Sequence, residues 1–402
     1  MNKPIYIASY HQSAFGKLKD TTVPDIVRKA VDGACNEIAV EPSVLDLGTI
    51  ASACNFTLNQ QGLLAGLLAM VPGLEGKPLE SVENACASGG QAILAVVHKL
   101  LLGLGEVGIA VGYEKMRDDD GKMDGKKIGG ALGVFSHPEE RTGKTYIFPH
   151  LFAEVMREYM QTHGVSEEDL ARISVAEYAH AQHNPYAQMR GVELTLEQAL
   201  KIEGINRYIV DGLPLKTYDC SQITDGYAAL ILATEEGLGR LQVDKREAVL
   251  LAGYAQATDP LMKAGRDVLR PAGALRAMQT AYAMANVTAA DVNVAEVHDC
   301  FSVMGALGVE VIGKAEYGQG ARFWKECRAS VHGECAVNTS GGLIAKGHPI
   351  GATGIAMVGW SARQLLGRAP EPLQRPDARV AATFNIGGPI CASVCTVLLP
   401  AV

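Results

Sequence analysis

The 402-residue sequence lacks the features of a membrane protein or a nucleic-acid-binding protein. No apolar run reaches the ~18 to 20 uncharged residues that span a bilayer, and the N-terminus has no signal-peptide layout. The formal net charge is -8, and lysine and arginine form no block. This excludes nucleic acid or an anionic membrane as the main partner. We therefore expect a cytoplasmic protein that can still bind small anions.

Paired metal-binding cysteines are also missing. The nine cysteines include no C-x-x-C pair, and Cys391 and Cys395 have no companion ligand pair nearby. An odd number of cysteines in a long chain without a secretory signal indicates free thiols in a reducing compartment. We expect neither a structural zinc nor another resident metal, so the reactivity of individual thiols becomes the main chemical question.

The sequence does contain a repeated alternation of strand-like and helix-like segments. Strands are predicted at PIYIASY, LGTIASAC, SVENACA and VGIAVGYEKM, and helices at TVPDIVRKAVDGACNEI and SGGQAILAVVHKLLLG. The alternation restarts after about Asp244 and closes with the strands RVAATFNIGG and ICASVCTVLLP. This pattern predicts a duplicated α/β architecture, with a mostly parallel sheet and helices on both faces.

One region interrupts the alternation. Residues 117–218 carry RDDDGKMDGKKIGG, isolated histidines and two helix-like segments, the second with Ser166 as its cap. We expect an inserted loop domain there. The first half would then comprise residues 1–116 and 219–245, and the second half residues 246–402.

Cys86 is the first candidate for catalysis, because ENACASGG places it just before a predicted helix. The positive end of a helix dipole and its free N–H groups favour a thiolate. The small residues that follow leave room for a substrate carbonyl. Most free cysteines are buried packing residues, so this position alone leaves both interpretations open.

His298 and Cys300 lie in the segment VHDCF, at the end of a predicted strand. Two residues apart in an extended chain, they share one face. One could donate a hydrogen bond while the other moves a proton. They could also be metal ligands, but the sequence places no second His/Cys pair to complete four-coordination. Packing is an equal alternative on these residues alone.

His348 lies between Gly347 and Pro349 in the loop GGLIAKGHPIGATG. Glycine allows unusual dihedrals and proline fixes the chain, so the loop presents an imidazole rigidly, as activation of a thiol requires. A phosphate loop is excluded because no lysine follows the second glycine, and the glycine spacing excludes a dinucleotide fingerprint. In a further glycine turn, FNIGGP, Asn385 either orients a neighbour or satisfies the turn.

Taken together, these loops resemble those of the thiolase superfamily over essentially the whole chain. NACASG is similar to the family's nucleophile loop, and NTSGGLIAKGHPIGATG to its C-terminal signature. Pro349 favours thiolases over the ketoacyl-synthase branch, which usually has threonine there. Many thiolases have Asn-Glu-Ala-Phe where this chain has His-Asp-Cys-Phe, and a last-loop cysteine where it has Asn385. The exchange resembles sterol-carrier-protein-type thiolases and their bacterial and archaeal relatives.

The resemblance implies a five-layered α-β-α-β-α fold and a role for each loop. Cys86 would be the nucleophile and His348 its activator. His298 would donate to an oxyanion, and Cys300 would be the acid and base at the acetyl-CoA carbon. The last loop would support this site through Asn385, Gly387 and Gly388.

The implied substrates are acyl-CoA and coenzyme A, with no cofactor and no metal. The loop domain would bind CoA and shape the acyl pocket, but the sequence does not identify the CoA-binding residues. Four lysines are candidate phosphate contacts, although a solvated surface is the simpler interpretation of each: Lys122, Lys126, Lys127 and Lys144.

The implied activity is that of a 3-oxoacyl-CoA thiolase, which passes an acyl group between a cysteine thioester and CoA in ping-pong order. Two alternatives stay open. One is a thiolase for a bulky or aromatic substrate such as 2-benzoylsuccinyl-CoA, working with a small zinc-ribbon/OB-fold protein. The other is a silent thiolase-like scaffold subunit. The loop around His348 disfavours a condensing synthase. A homodimer or tetramer is expected, with no nucleic-acid or membrane partner.

Overall fold

The computed structural model describes residues 3–401, so the predicted outer ends of the two halves, at 1 and 402, lie outside the described residues. Strands β4 (Val107–Glu114) and β5 (Gly226–Ala233) are buried along their whole length, as expected for apolar central strands. The described chain forms ten strands: β1 Tyr6–Gln12, β2 Leu47–Ala51, β3 Leu79–Val82, β4 Val107–Glu114, β5 Gly226–Ala233, β6 Val249–Thr258, β7 Val294–Val297, β8 Ala336–Val337, β9 Ala381–Gly387 and β10 Ala392–Pro400.

Fourteen α-helices accompany these strands within residues 3–401. Both predicted caps are present: Thr22 accepts a hydrogen bond from the backbone of Asp25, and Ser166 forms a capping box with Asp169. The helices are α1 Val23–Asn36, α2 Asn55–Asn59, α3 Leu64–Ala69, α4 Ser88–Leu101, α5 Gly125–Gly133, α6 Pro138–Arg141, α7 Ile147–His163, α8 Glu167–Ala181, α9 Leu196–Leu200, α10 Glu235–Leu241, α11 Ala272–Ala285, α12 Ser302–Val311, α13 Gly320–Lys325 and α14 Ile350–Leu365.

The sheet topology shows that the two halves are built alike. The strand order is β3-β2-β4-β5-β1 in the first half and β8-β7-β9-β10-β6 in the second. Each strand of the first half therefore has a counterpart in the second, from β1 and β6 through β5 and β10. A short antiparallel contact between β1 and β6, at Tyr6 and Ile7, joins the halves edge to edge. The predicted duplication is confirmed at the level of topology.

The prediction of a mostly parallel sheet is wrong. Strands β2, β3 and β4 are parallel, as are β7, β8 and β9, but β5 and β10 run antiparallel to both of their neighbours. The reason is clearest for β10, which follows β9 after only residues 388–391. A connection that short permits only an antiparallel hairpin, because a parallel pair needs a crossover of a dozen or more residues.

The helices cover and separate the two five-stranded halves of the sheet, which are called the first and the second sheet. Helix α1 packs on the outer face of the first sheet, and α11 on the outer face of the second. Helices α4 and α14 pack against each other between the sheets. This gives the five layers expected from the family resemblance. No helix of the described chain has both the length and the apolar composition needed to cross a bilayer.

The connection from β4 to β5 is much longer than its counterpart between β9 and β10. Residues 115–225 hold the five helices from α5 to α9. Helix α8 packs against α12, α13 and the loop before His348, so this region contacts the second half directly. The exact domain boundaries at 117 and 218 stay a prediction.

Candidate active site

Cys86 lies in the short loop between β3 and α4. The predicted strand SVENACA ends earlier than expected, at Val82, and α4 begins at Ser88. The loop is held by Ser88, whose hydroxyl accepts a hydrogen bond from the Asn84 backbone at 2.8 Å and donates to the Ala85 carbonyl at 2.6 Å. Ala85 adopts a left-handed φ of 48°. This sharp turn places Cys86 at the mouth of the helix.

The electrostatic environment of Cys86 differs from the expectation of a resting thiolate. Burial raises the pKa of the Cys86 thiol to about 12, and the carboxylates of Glu114 and Glu83 add to the effect, while the backbone N–H of Gly388 opposes it. Cys86 also precedes the cap residue Ala87, so it lies outside the first turn of the helix. The thiol is therefore protonated at rest and needs a base to become a nucleophile.

His348 is fixed by the first turn of α14. Its Nδ1 lies 2.7 Å from the hydroxyl of Thr353, which itself donates to the Pro349 carbonyl at 3.2 Å. The hydroxyl hydrogen is thus engaged, so Nδ1 carries the proton and Nε2 presents a lone pair. Burial, followed by the charge of Lys346, lowers the pKa of His348 to about 3, so the ring is neutral. Nε2 has no hydrogen-bond partner among residues 3–401.

The glycines near His348 permit a close approach of two helices. Gly347 has a φ of 113°, and a Cβ there would lie 2.9 Å from the Thr224 hydroxyl. At the start of α4, a Cβ on Gly89 would lie 2.7 Å from the carbonyl oxygen of Gly351 in α14. The absence of side chains lets the N-terminal ends of α4 and α14 touch, which brings the loops of Cys86 and His348 together.

His298 is oriented by Asn385, which lies near the end of β9. The side-chain amide nitrogen of Asn385 lies 3.0 Å from His298 Nδ1 and also donates to the Cys86 carbonyl at 3.0 Å. An amide nitrogen is only a donor, so Nδ1 accepts and the proton resides on Nε2. Burial and the nearby His348 hold the pKa of His298 well below its usual range. Its Nε2 likewise has no hydrogen-bond partner in the described part of the chain.

Cys86, His298 and His348 form one cluster. The Cys86 sulfur and one ring nitrogen from each histidine all lie within 4.8 Å of one another. The two rings meet edge to face, with centroids 5.0 Å apart. Sequence reasoning had found no second Cys/His pair beside His298 and Cys300, whereas the fold brings Cys86 and His348 to this place. Within residues 3–401, the Nε2 atoms of both histidines lack a hydrogen-bond partner. Nε2 of His298 is a donor and Nε2 of His348 is an acceptor.

These three residues could also hold a divalent metal, since two imidazoles and a thiol are ordinary zinc ligands. Binding through Nε2 would require His298 to carry its proton on Nδ1 and to donate it to an acceptor. The neighbour of His298 Nδ1 is instead the amide nitrogen of Asn385, which donates a hydrogen bond and cannot accept one. The hydrogen bonding therefore fits a catalytic pair of imidazoles better than a metal centre.

Cys300 joins the same site. It is buried, lines the cavity around the cluster, and its carbonyl accepts a hydrogen bond from the Ser221 backbone at 2.9 Å. Burial, with further contributions from Cys86 and Asp299, holds the pKa of its thiol well above the usual range. A protonated thiol is suited to donating a proton to a carbanion.

The final loop closes the site from the side of β9. A Cβ on Gly387 would overlap the Asn84 carbonyl, and Gly388 has a φ of 62°, so glycine is required at both positions. The backbone N–H of Gly388 faces the Cys86 sulfur. The structure thus brings together all seven residues singled out from the sequence: Cys86, His298, Cys300, His348, Asn385, Gly387 and Gly388.

The cavity in front of the cluster has a volume of about 140 Å³ and an aromatic wall. Sequence reasoning missed this wall, because its members come from distant segments: Phe135, Phe148, Phe152 and Phe301. It also missed Thr353, five residues after His348, although a hydroxyl one turn into a helix is a recognisable partner for a residue before that helix. None of the four candidate lysines lines the cavity, and Lys122 forms an ion pair with Asp120 on the surface.

Two family models cover nearly the whole chain. The N-terminal domain of thiolase matches residues 5–236, and the thiolase C-terminal domain-like family matches residues 253–399. The chain belongs to the thiolase family. The junction between the two matches falls at β6, where the topological repeat begins.

Curated relatives match 90% or more of this chain. The chain is 34% identical to an acetyl-CoA acetyltransferase of Methanothermobacter thermautotrophicus, covering 96% of this chain and 97% of that protein. It is 29% identical to the benzoylsuccinyl-CoA thiolase subunit BbsB of Thauera aromatica, covering 96% of each. Human sterol carrier protein 2 is 28% identical over 90% of this chain, which spans 65% of that protein. The expected relationship to archaeal and sterol-carrier-type thiolases is confirmed.

Among solved structures, the chain resembles one described as the Ltp2-ChsH2(DUF35) aldolase. The TM-score is 0.80 at 21% identity, with 99% of this chain and 98% of that chain covered. At this identity the match supports the thiolase fold alone.

Proposed function

We propose that this protein is a 3-oxoacyl-CoA thiolase that works through a Cys86 thioester. The observation that carries the proposal is the cluster of one thiol and two imidazoles in opposite tautomers, facing a common cavity. One imidazole accepts a proton and the other donates a hydrogen bond. Acyl transfer through a cysteine needs both functions.

Acylation begins when His348 Nε2 removes the proton from Cys86. Because burial and nearby carboxylates disfavour the thiolate, proton removal and attack on the 3-oxo carbon occur together. The resulting oxyanion is stabilised by backbone N–H groups of Cys86 and the final loop. Cleavage of the bond between C2 and C3 then leaves the acyl group on sulfur and releases the acetyl-CoA enolate.

His298 and Cys300 act on the leaving group. The Nε2–H of His298 donates to the enolate oxygen, joined by the now protonated His348. Cys300 gives its proton to C2 and completes acetyl-CoA. In the second half of the cycle, the thiol of free CoA attacks the thioester, and the same groups act in reverse. Coenzyme A enters as a substrate, and this sequence of steps uses no cofactor and no metal.

The test is mass spectrometry of the intact protein after incubation with a panel of 3-oxoacyl-CoAs. We expect an acyl adduct on Cys86 that disappears when CoA is added. The variant Cys86→Ala should form none, whereas Cys327→Ala, which removes an exposed thiol, should behave like the wild type. Activity that survives Cys86→Ala would overturn the mechanism. A retro-aldol cleavage, as the name of the structural neighbour suggests for that protein, would proceed without acylating Cys86.

The substrate and any partner protein form the finer part of the proposal. The relative from Thauera aromatica is named as a thiolase subunit, and the structural neighbour is named with a DUF35 protein. Both names support the alternative in which a small zinc-ribbon/OB-fold protein assembles with this chain. The silent-scaffold alternative is disfavoured, since a scaffold has no use for four catalytic groups facing one cavity.

A homodimer in the cytoplasm completes the proposal. Strand β3 is an outer edge of the ten-stranded sheet, and apolar Phe56 and Leu63 nearby are 75% and 82% exposed. Open strand edges and exposed apolar side chains are features that a second copy can cover. All nine cysteines are free thiols, which supports a reducing compartment.

A further inference from the structure

A second apolar space adjoins the catalytic cavity. It is a groove of about 290 Å³ between α5 and the start of α7. The two spaces adjoin, because four residues line both the groove and the cavity: Leu132, Phe148, Pro149 and Ile223. The groove extends away from Cys86 past Ile128 and Ile147, both of which are buried.

The lining of this combined space carries no charge that could bind a carboxylate. Within residues 3–401, neither the groove nor the cavity is lined by lysine or arginine. The two histidines of the cavity are neutral. An ionised carboxylate taken out of water into such a space would lack a partner, so its binding would be strongly disfavoured.

We propose that the groove and the cavity together bind the acyl part of the substrate, and that this acyl group is bulky, apolar and uncharged. The inference rests on the proposed function, because it assumes that Cys86 takes up the acyl group. The catalytic residues determine the reaction but not the acyl group, and the inference selects one class of acyl group. Acyl groups that end in a second carboxylate, such as the succinyl group that 3-oxoadipyl-CoA would leave on Cys86, are disfavoured.

The pantetheine arm of CoA is a less suitable occupant of the groove. That arm contains two amides, which need hydrogen-bond partners when they leave water. The groove offers one side-chain hydroxyl, that of the half-exposed Tyr146, and otherwise glycines, a proline and apolar side chains. A hydrocarbon loses nothing in this environment and gains from burial.

The aromatic wall gives the space a rigid shape. The ring of Phe152 stacks on Phe301 at 4.6 Å and on Phe148 at 6.5 Å between centroids, so three rings form a continuous row. Phe301 follows Cys300 directly and Phe148 lines both spaces. An acyl group bound to Cys86 can therefore lie against flat aromatic faces from the cavity into the groove.

The first test compares neutral and charged substrates of similar length on the wild-type enzyme. We expect kcat/KM for 3-oxooctanoyl-CoA and for benzoylacetyl-CoA to exceed that for 3-oxoadipyl-CoA at least tenfold. Equal or better turnover of the dicarboxylic substrate would overturn the inference. If no substrate acylates Cys86, the proposed function itself fails, so the two failures are distinguishable.

The second test narrows the passage between the two spaces with Leu132→Trp. We expect kcat/KM of this variant to fall at least tenfold more on 3-oxooctanoyl-CoA than on acetoacetyl-CoA. The matched control is Val134→Trp, an exposed position two residues along the chain that lines neither space. A loss that is equal for short and long substrates, or that also appears in the control, would show that the acyl group does not enter the groove.

Discussion

At the scale of single residues, the site depends on the groups behind its two imidazoles. Thr353 accepts from Nδ1 of His348, and Asn385 donates to Nδ1 of His298. Two histidines with the same side chain thus present opposite functions to the substrate. Asn385 also holds the Cys86 carbonyl, so one amide connects the nucleophile to the oxyanion donor.

Replacing this amide by a carboxylate should reverse the tautomer of His298. In Asn385→Asp, the carboxylate accepts from Nδ1–H, and Nε2 becomes a lone pair. We expect the rate of acyl transfer to fall by about two orders of magnitude, the loss typical of one oxyanion donor and the loss we also expect for His298→Ala. The variant should also bind Co²⁺ with a thiolate charge-transfer band, because the carboxylate now supports a metal-bound imidazole.

The control for this prediction is Asn385→Ser, which removes the amide without supplying a carboxylate. It should lose activity but gain no cobalt band. The double variant Asn385→Asp/Cys86→Ala should lose the charge-transfer band. If the band persists, the metal binds at another thiol and the proposed cobalt site is wrong.

The neutral histidines should also make stability sensitive to acid. His348 has a pKa of about 3 in the folded protein against about 6.5 when unfolded, so the unfolded chain binds more protons between these values. The free energy of unfolding therefore decreases as the pH falls from 6.5 towards 3. Urea unfolding at a series of pH values gives the slope of the free energy of unfolding against pH. This slope should be smaller by about 1.4 kcal/mol per pH unit in His348→Asn than in the wild type. Identical slopes would mean that the ring is already charged in the folded state.

At the scale of elements, the turn before His348 is held by the loop that carries the other catalytic pair. The backbone N–H groups of Leu343 and Ile344 donate to the Asp299 carboxylate at 2.8 to 3.1 Å, within a single turn of π-helix over residues 342–346. Asp299 lies between His298 and Cys300. One carboxylate therefore ties both catalytic loops together.

Glu177 of α8 supports this carboxylate from the inserted region. It accepts a hydrogen bond from Asn338 at 2.8 Å, and burial with the charge of Asp299 holds its pKa well above the usual range. A protonated Glu177 donates to Asp299. The variant Glu177→Gln should keep this donor and stay close to wild type in kcat and melting temperature. In Glu177→Ala, both should fall, with about 1 to 3 kcal/mol of stability lost, because Asp299 and Asn338 lose a buried partner.

Measurement of kcat and of denaturant midpoints for the two variants checks this prediction. If Glu177→Gln and Glu177→Ala lower kcat and the denaturant midpoint equally, Glu177 is ionised and acts through its charge. Two unimpaired variants would show that α8 does not support the catalytic loops.

The sequence predicted these elements unevenly, for physical reasons. Caps and apolar periods are local signals, so the helices after Thr22 and Ser166 and the central strands were predicted correctly. The loops with special residues, around Cys86 and His348, were also recognisable. The π-helical turn, the amide of Asn385 between two loops and the aromatic wall depend on contacts between distant segments, and no local pattern encodes them. The prediction of a thiolate at Cys86 is wrong. Burial raises the pKa of the thiol by more than the helix dipole of α4 can lower it, because α4 begins two residues later.

At the scale of the whole molecule, duplication explains where the catalytic residues come from. Cys86 precedes α4 in the first half, and His348 precedes α14, its counterpart in the second. The two helices pack side by side at the centre, so equivalent loops of the two halves meet in one site. The long β4–β5 connection then adds the apolar walls that the short β9–β10 hairpin cannot supply.

The open edge of the first half should be the surface where two copies meet. Strand β3 leads directly into the loop of Cys86 and contacts α3, whose N-cap residue Leu63 is 82% exposed. We expect Leu63→Glu to shift the protein from dimer towards monomer in sedimentation velocity, because a charge buried at such a contact lacks a partner. Leu102→Glu is the matched control, since Leu102 is 76% exposed at the far end of α4. If β3 meets its copy, the loss of the dimer should also lower activity, because the edge that supports the nucleophile loop becomes free. A wild-type protein that sediments as a monomer, or a dimer equally stable in both variants, would place the contact elsewhere.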